Sequence, residues 1–138
     1  MIDRDRIIKN KMDIINILAQ IEELLKQEKD IFLSDSRNIH SLKYLLIQVV
    51  EVMADTYQHI LAKTKGIVCE GYVDCMVKAG KEGIISPSLS NKLRKLASLR
   101  NSLIHRYWVI DDMKVYMQTI ANKDDIREFI SQGIDNYL

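Results

Sequence analysis

Apolar residues recur at spacings of three and four along most of the chain, which is the period of an amphipathic α-helix. This pattern predicts a first helix over residues 4–29 and a second long helix from residue 34 to about residue 63. The cluster Ser34–Ser36 is typical of a helix start, and Gly66 is placed to end the second helix. Its predicted buried positions are Leu42, Leu45, Leu46, Val49, Met53, Tyr57 and Ile60.

The second half of the chain shows the same helical period. Ser86 is suited to cap a helix, and Pro87, the one proline in the sequence, fits its first position. The predicted helices are 72–82, 86–107, 111–121 with a break at 122–124, and a last helix to the C-terminus. No segment alternates with a period of two, and no hairpin turn pattern occurs. The sequence therefore predicts one all-α domain over residues 1–138, an up-and-down antiparallel bundle of five to six helices.

Residues 86–107 contain a charge within their apolar stripe. The apolar members of the stripe are Leu93, Leu96, Ala97, Leu103 and Ile104. At about 100° per residue, Arg100 falls in the middle of the stripe and Tyr107 lies on the same line, whereas Asn101 and His105 share a polar face. Because a guanidinium keeps its charge, an arginine on a core or interface face needs a partner. These four side chains are therefore the candidate functional site.

The residues from Arg100 to Tyr107 read Arg-Asn-Ser-Leu-Ile-His-Arg-Tyr, which matches the Arg-x4-His-x-Tyr motif of HepT-like HEPN proteins. The flanking segments 85–89 and 107–116 also resemble that family, and a looser likeness covers nearly the whole chain. HepT-like proteins are the toxin halves of toxin–antitoxin pairs whose partner is a minimal nucleotidyltransferase of the MntA type. The resemblance implies a HEPN helical bundle, an RNA substrate and a homodimer with its sites at the subunit interface.

The resemblance also implies a regulatory role for Tyr107, because in HepT-like toxins the partner enzyme adenylylates the tyrosine of the motif. An attached AMP places a bulky anion beside Arg100 and His105. We therefore expect this modification to block the site and to occupy the guanidinium.

The residue types themselves suit cleavage of an RNA phosphodiester without a metal or another cofactor. His105 is expected to act as general base on the ribose 2′-OH or as general acid on the leaving oxygen, with Asn101 orienting its ring. Arg100 is expected to stabilise the developing phosphorane charge. Within one helix Arg100 and His105 lie about 140° apart around the axis, so a two-fold dimer is expected to bring two copies of the motif together.

An acidic face on the second helix is a candidate support for this site. Glu51, Asp55 and His59 follow each other at four-residue steps and so lie in one stripe. One interpretation is a solvated face with a weak Asp55–His59 pair. The other is that the stripe borders Arg100 or a subunit contact.

Several alternatives remain open from the residues alone. Arg100 also fits a structural role, paired with Glu51 or Asp55, and a single histidine such as His105 is often an ordinary core residue. The motif also fits a non-catalytic helical partner of the nucleotidyltransferase, or a bundle without chemistry. The aromatic pair 107–108 suits a plug at the end of a helix better than a platform for bases.

Composition adds few constraints. Apolar residues make up 47% and charged residues 28% of the chain, and the net charge of +1 neither favours nor excludes nucleic acid. The charged N-terminal segment and the absence of a long apolar run predict a cytoplasmic protein without membrane attachment. Cys69 and Cys75 are expected to be reduced thiols, and the three scattered histidines give no basis for a metal site.

Overall fold

The computed structural model describes residues 1–106 and 109–138, and in this part the chain is helical with no β-strand. Six α-helices are followed by a π-helical segment and a 3₁₀ turn. Their bounds are α1 Arg4–Leu25, α2 Lys29–Ser34, α3 Ser36–Lys65, α4 Tyr72–Lys81, α5 Pro87–His105, α6 Asp112–Glu128, the π-helical segment Phe129–Ile134 and the turn Asp135–Tyr137. The prediction of an all-helical bundle is confirmed.

Side-chain caps set the starts of the long helices. The Asp35 carboxylate accepts a hydrogen bond from the backbone N–H of Arg37 at the start of α3, and the Ser86 hydroxyl accepts one from Leu89 N–H at the start of α5. Each satisfies a backbone donor that has no partner within its helix. Gly66 ends α3 in the left-handed conformation, with φ 65°, where a glycine carries no Cβ penalty.

The α1 and α3 helices run antiparallel along most of their lengths. The N-terminal part of α1 contacts the C-terminal part of α3, where the Asn10 side chain donates to the Thr56 hydroxyl over 3.1 Å. At the other end, the Gln27 and Asn38 side chains are hydrogen-bonded to each other. Contacts at both ends therefore fix the register of this pair.

The α4 and α5 helices pack closely because a glycine lies at their contact. A Cβ added at Gly80 would overlap the side chain of Ser90, whose hydroxyl donates to the Met76 carbonyl over 2.7 Å. This close approach places the start of α4, with Tyr72, against the C-terminal half of α5.

Aromatic side chains link the last elements to the centre of the bundle. Tyr116 of α6 packs on Phe32, and Phe129 of the π-helical segment packs on Tyr57, each pair with ring centroids 4.8 Å apart. All four rings are buried. The C-terminal third of the chain is thus part of the same core as α2 and α3.

Two predicted boundaries are wrong. The first helix ends at Leu25, and α2 is a separate element over Lys29–Ser34. The predicted break at residues 122–124 does not occur, because α6 continues to Glu128. Polar residues lower helix propensity by only a few tenths of a kcal/mol each, and burial of Ile126 on the next turn outweighs that cost.

Candidate functional site

The α5 helix carries Arg100 towards the interior of the bundle. Four of the five predicted apolar positions of its stripe are buried: Leu93, Leu96, Ala97 and Leu103. The fifth, Ile104, is 44% exposed and so departs from the prediction. Arg100 lies in the same stripe, and its side chain is only 12% exposed.

Three groups surround the Arg100 guanidinium. Its Nη2 donates to Glu51 Oε1 of α3 over 3.2 Å, and its Nη1 donates to Asn101 Oδ1 over 3.2 Å. Its Cζ lies 4.0 Å from the ring centroid of Tyr72, which is a cation–π contact. The site thus joins residues from α3, α4 and α5.

The guanidinium is incompletely satisfied in this environment. An arginine has five N–H donors in a planar fork. Arg100 Nε is buried without a hydrogen-bond partner among the described residues, and the two bonds to Glu51 and Asn101 are long for charge-assisted ones. A buried, under-coordinated cation gains free energy when an anion with several oxygens reaches it. The arrangement therefore suits a phosphate or a developing phosphorane.

His105 is the last residue of α5 and is exposed. The polar face of α5 carries it away from the Arg100 side chain, as expected from the helical period. Asn101 contacts Arg100 and, within the described part of the chain, forms no hydrogen bond with His105. Asn101 therefore does not orient the imidazole of His105 in this structure, contrary to the expectation. Tyr107, the predicted modification site, lies outside the described residues.

The acidic stripe on α3 is divided between two neighbours. Glu51 contacts Arg100, whereas Asp55 accepts a hydrogen bond from Arg6 Nε over 3.1 Å and a second from Arg6 Nη2. The hydrogen bond from Arg6 is the main reason that the pKa of Asp55 is lowered, with a further contribution from the Asn10 side chain. Asp55 therefore stabilises the α1–α3 contact and lies outside the immediate surroundings of Arg100.

His59 belongs to the same α1–α3 contact. It is buried, and its Nε2 accepts a hydrogen bond from the backbone N–H of Asp3 over 2.9 Å. Burial lowers the pKa of His59, and the nearby Arg6 lowers it further. His59 is thus a structural histidine that holds the start of α1 through a hydrogen bond to a neutral ring. The hypothesis of an Asp55–His59 pair on a solvated face is wrong, because both residues belong to the α1–α3 contact.

Two residues were not predicted from the sequence: Tyr72, which belongs to the site, and Lys43, which lies two turns before Glu51 on α3. Tyr72 opens α4 and stacks on Arg100, but nothing in its local pattern links it to a residue 28 positions later. Lys43 is buried on α3 and its ammonium contacts Asp112 Oδ1 at 2.7 Å, beside the segment that follows α5. Like Arg100, Lys43 is a charged residue at an apolar position of its helix, and this pattern could have indicated from the sequence that its side chain is buried.

The described residues form neither a cluster of metal ligands nor a membrane-spanning helix. No group of three or more His, Cys, Asp or Glu side chains is arranged to hold a metal ion within residues 1–106 and 109–138. Over the same part of the chain, no helix combines the length and the apolar character needed to cross a membrane.

Comparison with known families gives a match over most of the chain. Residues 14–132 match the family model described as ribonuclease HepT-like. A curated relative, the tRNA nuclease HepT of Aphanizomenon flos-aquae (strain 2012/KM1/D3), is 27% identical over 133 residues, which cover 96% of this chain and 90% of the relative.

Solved structures with the same fold include toxin–antitoxin complexes. One is a tri-AMPylated HEPN toxin of Shewanella oneidensis in complex with an MNT antitoxin, with a TM-score of 0.83 and 21% identity, covering 92% of this chain and 95% of that one. Another is a toxin–antitoxin with AMP-PNP, with a TM-score of 0.81 and 21% identity over 92% and 96% of the two chains. YutE from Bacillus subtilis, a cytosolic protein of unknown function, has a TM-score of 0.82 and 21% identity, covering 99% and 91%.

Proposed function

The chain belongs to the ribonuclease HepT-like family, and on that premise we propose that it is the toxin of a HepT/MntA-type toxin–antitoxin pair that cleaves RNA without a metal ion. The observation that carries this proposal is the state of Arg100. Its guanidinium is largely buried and under-coordinated, and it lies five residues before an exposed histidine. A structural arginine alone requires neither the unpaired donor nor the neighbouring imidazole.

In the proposed reaction, His105 removes the proton of a ribose 2′-OH, whose oxygen attacks the adjacent phosphorus. The bond from phosphorus to the 5′ oxygen breaks, and the proton that His105 removed passes through solvent water to that oxygen, which returns the imidazole to its starting form. The products are a 2′,3′-cyclic phosphate and a 5′-OH end. Arg100 stabilises the charge that develops on the non-bridging oxygens, which requires no covalent chemistry from the protein. Glu51 and Tyr72 hold the guanidinium in place until the phosphate arrives.

A homodimer is part of the proposal because one chain presents the two groups on different sides of α5. Arg100 is directed into the bundle and His105 is exposed. Two chains related by a two-fold axis allow Arg100 of one protomer and His105 of its partner to act on the same phosphate. Each isologous dimer then contains two composite sites.

The composite site has a direct test. Arg100→Ala and His105→Ala chains, each inactive alone, are mixed, unfolded and refolded together. Half of the dimers are then heterodimers with one chain of each variant. Each heterodimer carries one intact site out of two, so about a quarter of the wild-type activity is expected. A mixture that stays inactive, although light scattering shows dimers, contradicts shared sites.

Regulation by the nucleotidyltransferase partner is the second part of the proposal. The related Shewanella oneidensis toxin is described as tri-AMPylated and bound to its antitoxin, and Tyr107 of this chain stands at the tyrosine position of the motif. AMP on Tyr107 would add an anion within reach of Arg100 and His105. Intact mass after incubation with the partner and ATP is expected to rise by about 329 Da per AMP, a change that Tyr107→Phe removes or reduces.

The experiment that tests the enzyme is an RNA-cleavage assay on purified, unmodified protein in the presence of EDTA. Wild type is expected to cleave, and Arg100→Ala and His105→Ala are each expected to lose at least about 100-fold in rate. His59→Gln is the matched control, because it changes a histidine that supports only the α1–α3 contact.

The assay also separates the proposal from its main alternative. If unmodified wild-type protein cleaves no RNA in EDTA and none after divalent metal ions are added, the result contradicts the proposed ribonuclease activity. It favours a non-catalytic partner that binds the nucleotidyltransferase. Cleavage that appears only with the metal ions contradicts metal independence alone.

A further inference from the structure

A groove runs between α5 and α6 on the side of α5 that leads to His105. It has a volume of about 370 Å³. One wall carries Lys95, Ser98 and Ser102 of α5, and the other carries Lys114 and Gln118 of α6. The wall residues Ser98 and Ser102 lie on the same face of α5 as His105, so the groove and the imidazole are on one line.

The floor of the groove is apolar, whereas its walls are polar. Leu99, Ile110 and Val115 form the floor. A smaller depression continues past Lys95 and Gln118 along α6 to Lys123. A floor of this kind accommodates the faces of sugars and bases, while the walls supply donors for oxygen atoms.

Charge is segregated along both walls, although the whole chain has a net charge of only +1. The sequence contains no carboxylate between Glu82 and Asp111, and none between Asp112 and Asp124. The acid at the end of the groove, Asp111, is engaged as the cap of α6, where its carboxylate accepts a hydrogen bond from the backbone N–H of Met113 over 3.0 Å. The charged side chains that line the groove are Lys95, Lys114 and Asp111, so positive charge is in excess there.

The ammonium groups of the groove are available to a ligand. Lys95 and Lys114 are exposed, and within residues 1–106 and 109–138 neither Lys95, Lys114 nor Lys123 forms a salt bridge. Lys92, one turn before the groove, is paired instead, because its ammonium lies 3.7 Å from each of the Asp125 and Glu128 carboxylates. Unpaired lysines on both walls of a groove with a single lining carboxylate, Asp111, among the described residues fit a ligand with repeated negative charges.

We propose that this α5–α6 groove binds the sugar–phosphate backbone of single-stranded RNA next to the scissile bond. The inference rests on the proposed ribonuclease function and names the surface that holds its substrate. Lys95 and Lys114 contact phosphates, and the apolar floor contacts the nucleosides between them. From Ser98 to His105 the helix rises about 10 Å, so an RNA strand in the groove reaches the imidazole.

The test measures RNA binding in the His105→Ala background, where cleavage does not consume the probe. The probe is a fluorescein-labelled single-stranded oligoribonucleotide of mixed sequence, followed by anisotropy over a series of salt concentrations. Adding Lys95→Gln and Lys114→Gln is expected to raise Kd about tenfold and to reduce the slope of log K against log salt by about 1.4, or 0.7 per lost phosphate contact. The matched control adds Lys9→Gln on α1, where the lysine is 76% exposed and pairs with Asp13.

Cleavage kinetics provide a second readout. With His105 intact, the Lys95→Gln/Lys114→Gln variant is expected to show a raised KM with kcat nearly unchanged, because both lysines bind the strand outside the reacting atoms. An unchanged KM together with an unchanged Kd and salt slope overturns the groove while leaving the ribonuclease intact. An unmodified wild-type chain that neither binds nor cleaves RNA overturns the ribonuclease and the groove together.

Discussion

Two carboxylates on α3, one helical turn apart, each bind an arginine. The two pairs differ in the number of their hydrogen bonds and in the exposure of the arginine. Asp55 receives two hydrogen bonds from Arg6 and a third from Asn10, in a position where both charged side chains are about two-fifths exposed. Glu51 receives one long hydrogen bond from Arg100, whose side chain is only 12% exposed. The more accessible pair is thus the better satisfied one.

This difference separates a structural ion pair from a site that is ready for an anion. At the Arg6–Asp55 contact the pKa of Asp55 is lowered and that of Arg6 is raised, mainly by their shared hydrogen bonds. Each charge there already has its partner. Arg100 contacts one aromatic face, one carboxylate and the Asn101 amide oxygen, and its Nε has no partner in the described part of the chain. Desolvated and incompletely paired, it interacts strongly with any anion that enters.

The sharpest test compares the two arginines directly. Arg100→Ala is expected to reduce RNA cleavage about 10²- to 10³-fold with little change in Tm, because it removes charge stabilisation from the transition state. Arg6→Ala is expected to lower Tm and to leave cleavage intact below the new melting temperature. Arg100→Lys should restore little, because an ammonium lacks the planar fork. Equal losses of cleavage in the Arg100→Ala and Arg6→Ala variants would contradict the distinction.

A second test disturbs the site indirectly, through the contact between α4 and α5. Gly80→Ala places a methyl group against Ser90 at the α4–α5 contact, so we expect a loss of about 1–3 kcal/mol in the free energy of unfolding. Because α4 holds Tyr72 over Arg100, cleavage should decrease as well. Urea denaturation and the cleavage assay measure the two effects. Lys81→Ala, at the exposed neighbouring position, is the control; no stability difference between the two variants would contradict the close packing.

A third test removes the satisfied carboxylate. Asp55→Asn leaves Arg6 without its counter-charge and is expected to cost about 1 kcal/mol of stability, the upper end for exposed pairs. Cleavage should stay within about twofold of wild type, since Arg100 is not a partner of Asp55. Chemical denaturation and initial rates give both quantities. A large loss of cleavage with normal stability would place Asp55 in the reaction.

A fourth test addresses the aromatic contact of Arg100. Tyr72→Ala is expected to reduce cleavage about fivefold, in line with about 1 kcal/mol for a partly desolvated cation–π contact. Tyr72→Phe retains the ring face and should behave like wild type. If the phenylalanine variant loses as much as the alanine variant, then the hydroxyl group, and not the ring, is what matters.

The smallest expected effect is a pH dependence at the structural cluster. The folded pKa of His59 lies below its unfolded value of 6.5, so the unfolded chain binds a proton first as the pH falls. This contribution to stability is present above pH 6.5 and is lost as the pH falls from there towards the folded pKa. Tm should therefore decrease from pH 7.5 to pH 5.5 by more in wild type than in His59→Gln. Identical decreases would contradict this role of His59.

Several features of the fold and site were predictable from the chain because they depend on consecutive residues. Ser86 and Pro87 start α5 as expected, Gly66 ends α3, and Arg100 lies among buried leucines as the helical period required. The expected break at residues 122–124 failed for the opposite reason, because burial of Ile126 against other elements outweighs weak local preferences.

The sequence by itself determined most of the helices, the caps at Ser86 and Gly66 and the charge within the apolar stripe of α5, since each follows from residues close together in the chain. Only the tertiary structure decided that Glu51 and not Asp55 contacts Arg100, and that Tyr72 covers its guanidinium. Asp55 and Glu51 occupy equivalent positions in the α3 pattern. The choice between them depends on which neighbouring helix packs on each turn, and that information is distributed over the whole core.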